Sequence, residues 1–278
     1  MHDDWAFIIR GYANGALLDQ WAKAFSQFKL NTFEQRAIEL MLDELDRLLR
    51  TRDVLDRLRE AMPQGEGPFT LQQDPSPVER LGLFDSTKHF FDTFYSALSA
   101  VSGVVARYAS VFHVNFGDNA KFVKWAAQHL EEFGDLSRGE IERARLFRAL
   151  LNHPQQHPTF NWHTFGRPGY LAAHVVLAGI NGRGVNPVPP GASRGSILRD
   201  EDWFFEAPDE VSVTNSLFQL AAAVLARVMV GLTARSAFVA TVSLDGARSS
   251  LAPDYLDLSE KARSTPRLHS SLGQRDPG

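Results

Sequence analysis

Residues 32–59 read TFEQRAIELMLDELDRLLRTRDVLDRLR, and this stretch decides the fold. Ile38, Leu42, Leu45, Leu49, Leu55 and Leu58 recur at helical spacing with charged residues between them, the pattern of an amphipathic helix with one buried stripe. Arg47, Arg50, Arg52, Arg57 and Arg59 alternate with acids and read as its solvated face. Thr32 followed by Gln35 predicts a capping-box start, and no breaker occurs before Pro63.

The same periodicity continues on the C-terminal side. Residues 62–80 hold four prolines and two glycines and read as a loop. Asp85 or Ser86 is then expected to cap a second long helix carrying Phe90, Phe94, Leu98, Val101, Val105 and Tyr108, with Gly103 marking close helix packing. Asn119 to Phe133 reads as a third helix with Gly134 as its C-cap, and Ser137 with Glu140 as the capping box of a fourth. Pro154 and Pro158 end that helix. A loop rich in His and aromatic residues follows, then a short helix over 169–180.

Residues 181–212 are polar and rich in Gly and Pro, which predicts an extended loop. Val213 to Leu244 supplies a last long helix or a broken pair, and residues 246–278 read as a mostly flexible tail. The expected fold class is all-α: a bundle of five to seven helices forming one domain over residues 1–245.

Composition excludes several functions. The chain has 278 residues, 44% of them hydrophobic, and a net charge of −4, which argues against disorder throughout and against a generally basic nucleic-acid coat. It has no cysteine, so disulfides, thiol nucleophiles and cysteine-ligated metals are out. Arg227 and Arg235 interrupt the apolar run from Leu217 to Leu244, which therefore reads as a buried helix and not a membrane span. The N-terminal MHDDWAFIIRGY lacks the pattern of a secretory signal, and the expected location is cytoplasmic.

Phosphate-loop, dinucleotide, HExxH and GxSxG motifs do not occur. Residues 141–163, IERARLFRALLNHPQQHPTFNWH, instead concentrate Arg143, Arg145, Arg148, His153, His157 and His163. Arg145 and Arg148, three apart, share a helix face. Arg148 and His153, five apart, sit about 140° apart on a continuous helix, though His153 lies at the helix end, where its side chain can swing. A histidine titrating near neutrality suits proton transfer, and a fixed guanidinium suits a phosphate in its transition state.

Arg148-Ala-Leu-Leu-Asn-His153 resembles the Arg, four to six residues, His signature of HEPN domains (higher eukaryotes and prokaryotes nucleotide-binding). These are helical bundles, many of them metal-independent endoribonucleases of toxin–antitoxin, abortive-infection and CRISPR-associated systems. The resemblance covers about residues 30–180 and implies Arg148 and His153 as catalytic residues, with Arg145, Asn152 and His157 contacting substrate. It further implies RNA as substrate, no metal or other cofactor, a homodimer, and an antitoxin or regulatory protein as partner. Active members commonly carry Asn or Asp directly after the arginine, where this chain has Ala149; Asn152 is the candidate substitute.

Other readings stand beside this one. Arg148 as a helix-pairing residue with His153 capping a helix C-terminus describes a non-catalytic interaction or scaffold protein. A histidine metal site from His153, His157, His163 and His174 is opposed by Pro154 and Pro158, and His129 with Glu132 supplies one half of a di-iron motif at most. His89, Phe90, Phe91 and Phe94 read as helix core and rim, and Trp203, Phe204 and Phe205 as a loop anchor or a partner-binding hot spot. Phe160, Trp162 and Phe165 either stack on bases or close the bundle's end.

Overall fold

The periodic stretch forms one unbroken helix, Thr32–Glu60, in a computed structural model. The described residues are 14–61, 76–131, 133–152, 160–167, 170–180, 193–194 and 202–246. In chain order the helices are α1 Gly15–Phe25, α2 Thr32–Glu60, α3 Pro77–Arg107, α4 Ala109–Phe112, α5 Asn119–His129, α6 Asp135–Asn152 and α7 Glu210–Gly246. Strands β1 Phe160–Arg167, β2 Tyr170–Ile180, β3 Ser193–Arg194 and β4 Asp202–Glu206 lie between α6 and α7. The fold is thus the expected all-α bundle, with seven helices among the described residues and a small sheet added to it. The chain divides into two units, Met1–Val230 and Gly231–Gly278; of the second, the described residues 231–246 are helical.

Helix starts follow side-chain capping, and the caps lie where the expectation missed them. Asn31, not Thr32, caps α2: its side chain accepts from the amides of Phe33 and Glu34, while Glu34 reaches back to the Asn31 amide at 3.0 Å. α3 begins at Pro77, inside the expected loop and well before Asp85. Ser76 and Glu79 form a capping box there, and Pro77 takes the first helical position, where a missing N–H costs nothing. α6 starts at Asp135, so Ser137 lies within the helix, and its hydroxyl donates to Gln219 of α7. Gly134 belongs to the start of α6, where its carbonyl accepts from the Arg138 amide.

The core runs between α2, α3, α6 and α7. Leu45, Leu48 and Leu55 of α2, Phe90, Phe91 and Phe94 of α3, and Ile141 and Phe147 of α6 are fully buried. So are Val213, Leu217, Leu220 and Val224 of α7. Trp21 of α1 lies against Phe218 of α7 with ring centroids 5.8 Å apart. α7 is long and apolar enough to cross a membrane by length and composition alone, and over half of that stretch is buried inside the protein.

The sheet is a correction to the sequence reading. Of residues 169–180, expected as a helix, Tyr170–Ile180 form β2, and residues 181–212, expected as a loop, contain β3 and β4. The sheet order is β1-β2-β4-β3, with every pair antiparallel. Val175, Val176 and Leu177 of β2 are all buried although neighbours point to opposite faces. A strand covered on both faces shows no polar alternation, which is why its run of apolar residues was read as a helix. Phe205 of β4 packs on Phe147 with ring centroids 5.7 Å apart, so of the Trp203–Phe205 segment Phe205 anchors onto the bundle.

Candidate functional site

Lys88 and Asp92 are the only Asp, Glu, Lys or Arg residues between Thr87 and Ala106, and α3 places them one turn apart on one face. Asp92 is where α3 meets the Arg148 helix. Its Oδ1 accepts from Arg148 Nε at 2.9 Å and from Asn152 Nδ2 at 2.6 Å, and its Oδ2 accepts from Lys88 Nζ at 3.0 Å. Arg148 and Asn152 are one turn apart on α6, so one carboxylate holds both. Asn152 also donates to the Arg148 carbonyl at 3.2 Å.

Tyr95, one turn beyond Asp92, lies under the guanidinium, 4.6 Å from Arg148 Cζ to the ring centroid. Arg148 is thereby fixed on two sides, by a carboxylate at Nε and an aromatic face below. Its terminal nitrogens make no hydrogen bond among the described residues. The side chains of Arg148 and Asp92 are 28% and 33% exposed, so the cluster is open to solvent. A bidentate oxyanion can dock on a guanidinium presented in this way.

Burial pushes the Asp92 carboxyl up, but the hydrogen bonds from Lys88, Asn152 and Arg148 outweigh it and hold it below its usual range. A carboxylate with a depressed native value stabilises the fold at pH above its unfolded value, about 3.9, and that contribution disappears as the pH falls through the native value. Asp92→Asn is therefore expected to lose stability at neutral pH and to show a shallower decline below about pH 4 than the wild type. Urea unfolding of both proteins from pH 7 to pH 3 checks this; parallel curves would contradict it.

The structure brings Arg148 and Asn152 together. Arg145 lies one turn before Arg148 on α6, half-buried, with its Nε lacking a hydrogen-bond partner among the described residues. His153 and His157 lie outside the described residues, as do the side chains of His163 and His174. Among the described residues no three His, Asp or Glu side chains are grouped to hold a metal ion. His129 stacks on Trp125 and bonds its carbonyl through Nδ1 at 2.9 Å, while Glu132 lies outside the described residues. His89 is exposed, whereas Phe90, Phe91 and Phe94 beside it are core.

Asp92 and Tyr95 were missed in the sequence reading. The available signal was the Lys88–Asp92 pair, two charges one turn apart in an otherwise uncharged run of an apolar helix. Comparison with known proteins finds no matching family model, no matching curated protein and no matching solved structure.

Proposed function

We propose that this chain is a HEPN-like, metal-independent endoribonuclease, acting as a homodimer in a toxin or phage-defence setting under an antitoxin or regulatory protein. The observation that carries this reading is the setting of Arg148: an arginine fixed by Asp92 and Tyr95, its terminal nitrogens making no hydrogen bond among the described residues, one turn from the helix end and five residues before His153. In the reaction, the 2′-oxygen of a ribose forms a bond to the adjacent phosphorus and the bond from phosphorus to the 5′-oxygen breaks. His153 takes the 2′-hydroxyl proton or protonates the leaving 5′-oxygen, the other of these two transfers being made with water, and the products are a 2′,3′-cyclic phosphate and a 5′-hydroxyl. Arg148 holds the phosphate as charge builds on its oxygens. Arg145 and His157 contact neighbouring phosphates, and Asn152 keeps the Arg148–Asp92 pair in register.

The rival is a non-catalytic helical interaction protein. The Arg148–Asp92 pair favours it, since an arginine satisfied by a carboxylate of a neighbouring helix ties α3 to α6 with no substrate at all.

Incubating the purified chain with total RNA and with tRNA in EDTA separates the two. The ribonuclease reading expects cleavage that falls by at least about 100-fold in His153→Ala. A folded wild type without cleavage, or a His153→Ala chain as active as the wild type, would overturn it.

A further inference from the structure

α2 and α3 leave an open groove of about 490 Å³ along their contact, a size suited to a small organic ligand. Three features of it have no structural explanation. Phe33 and Leu40 stand at its α2 side 69% and 52% exposed, large apolar groups left uncovered. Gly103 sits mid-helix on the α3 side, where glycine costs about 1 kcal/mol relative to alanine. A Cβ there would meet nothing within 4 Å, so the glycine is not required by the close helix packing expected from sequence. What its missing side chain does is keep the groove open.

The third feature is charge. Arg47, Arg50 and Arg52 of α2 each pair with a carboxylate. Arg36 and Arg107, which line the groove, make no ion pair among the described residues. The two belong to one end of it: Arg107 Cζ lies 5.6 Å from the Phe33 ring centroid, and Arg36 is one helical turn from Phe33. One guanidinium therefore lies over the exposed ring, and a second arginine starts one turn away on the same helix and lines the same groove. At the far end Glu44 is neutralised by Arg47 at 3.3 Å, which leaves the groove net cationic in a chain of net charge −4.

We infer that this groove is a binding site for a phosphate monoester bearing a planar aromatic group. A carboxylate is satisfied by one guanidinium fork, whereas the three oxygens of a phosphate dianion match two. The aromatic body lies beside Phe33 and Leu40 over the space left by Gly103. Tyr95, which lies under Arg148, also lines the groove, but the inference does not rest on the ribonuclease reading and does not require cleavage of anything.

Isothermal titration of the full chain with phenyl phosphate tests it, with inorganic phosphate and a 5′-phosphorylated hexaribonucleotide as parallel arms. The His153→Ala chain serves throughout, so that no strand is cut. Phenyl phosphate is expected to bind, about 10- to 100-fold more weakly in Arg36→Ala and in Arg107→Ala. Gly103→Leu fills the groove on a helix that tolerates leucine better than glycine, so binding is expected to vanish with no drop in Tm. Binding that is absent, or unchanged in the three variants, overturns the inference. Inorganic phosphate bound as tightly as phenyl phosphate overturns the aromatic subsite, and binding of the hexaribonucleotide alone overturns a small-molecule site in favour of a nucleic-acid strand.

Discussion

Replacing Glu210 with alanine is expected to destabilise the chain by about 3–5 kcal/mol. Glu210 is 1% exposed at the start of α7 and accepts from Arg59 of α2 at 2.6 Å from Nη1 and 2.5 Å from Nη2. Arg59, expected from sequence on the solvated face of α2, is thus buried instead, drawn in by this carboxylate. Removing it takes the bidentate carboxylate from a buried guanidinium, and a buried charge that loses its main counter-ion costs more than the pair contributed when intact. Burial alone pushes the Arg59 value down; the hydrogen bonds and charge of Glu210 more than restore it. Asp56, 4.0 Å from Arg59 Nη1 and part-exposed, does not reproduce the bidentate contact. Urea unfolding at neutral pH measures the loss. The double variant Arg59→Met, Glu210→Leu carries no stranded charge and is expected to recover most of it. A double variant as unstable as Glu210→Ala would show that shape, not charge, sets the cost.

Phe147→Ala is expected to cost a similar amount, about 3–5 kcal/mol, by a different route. The ring is fully buried between Phe91 of α3 at 4.8 Å and Phe205 of β4 at 5.7 Å, and Phe90 extends the cluster from Phe91 at 5.1 Å. Deleting it opens a cavity where α3, α6 and the sheet meet, and neighbours in a close-packed interior relax only partly into such a space. Because Phe147 directly precedes Arg148, the variant is also expected to loosen the Arg148–Asp92 contact. Phe147→Leu retains much of the volume and is expected to lose clearly less. Denaturant midpoints at unchanged slope check both values, and equal losses for the two variants would exclude a cavity origin.

The bundle was legible in sequence because α2 and α3 repeat apolar residues at helical spacing: of the α2 stripe, Ile38, Leu45, Leu49 and Leu55 are buried as read, and Leu42 and Leu58 are half-buried. Helix ends were less legible. Thr32 and Gln35 imitate the capping box that Asn31 and Glu34 form one residue earlier, and a serine three before a glutamate caps at Ser76 but not at Ser137. At Ser137 the competing partner is Gln219, 82 residues away, which no local pattern reveals. β2 escaped because burial on both faces removes the alternation that identifies a strand. In the candidate site, Arg148 and Asn152 were both singled out in sequence, Asn152 as the candidate substitute for the residue after the arginine. Their carboxylate was not, since Asp92 is 56 residues from Arg148 and becomes its neighbour only when α3 packs on α6.

The Arg59–Glu210 clasp joins positions 151 residues apart and so closes a ring of chain that contains α3 to α6 and the whole sheet. Loop-closure entropy grows only as the logarithm of ring size. Lengthening a surface connection inside the ring by ten residues adds less than about 0.1 kcal/mol to the closure cost. Variation in loop length anywhere between the two residues is therefore nearly free, whereas removing one partner of the clasp alone leaves its full cost at the point where the ring closes.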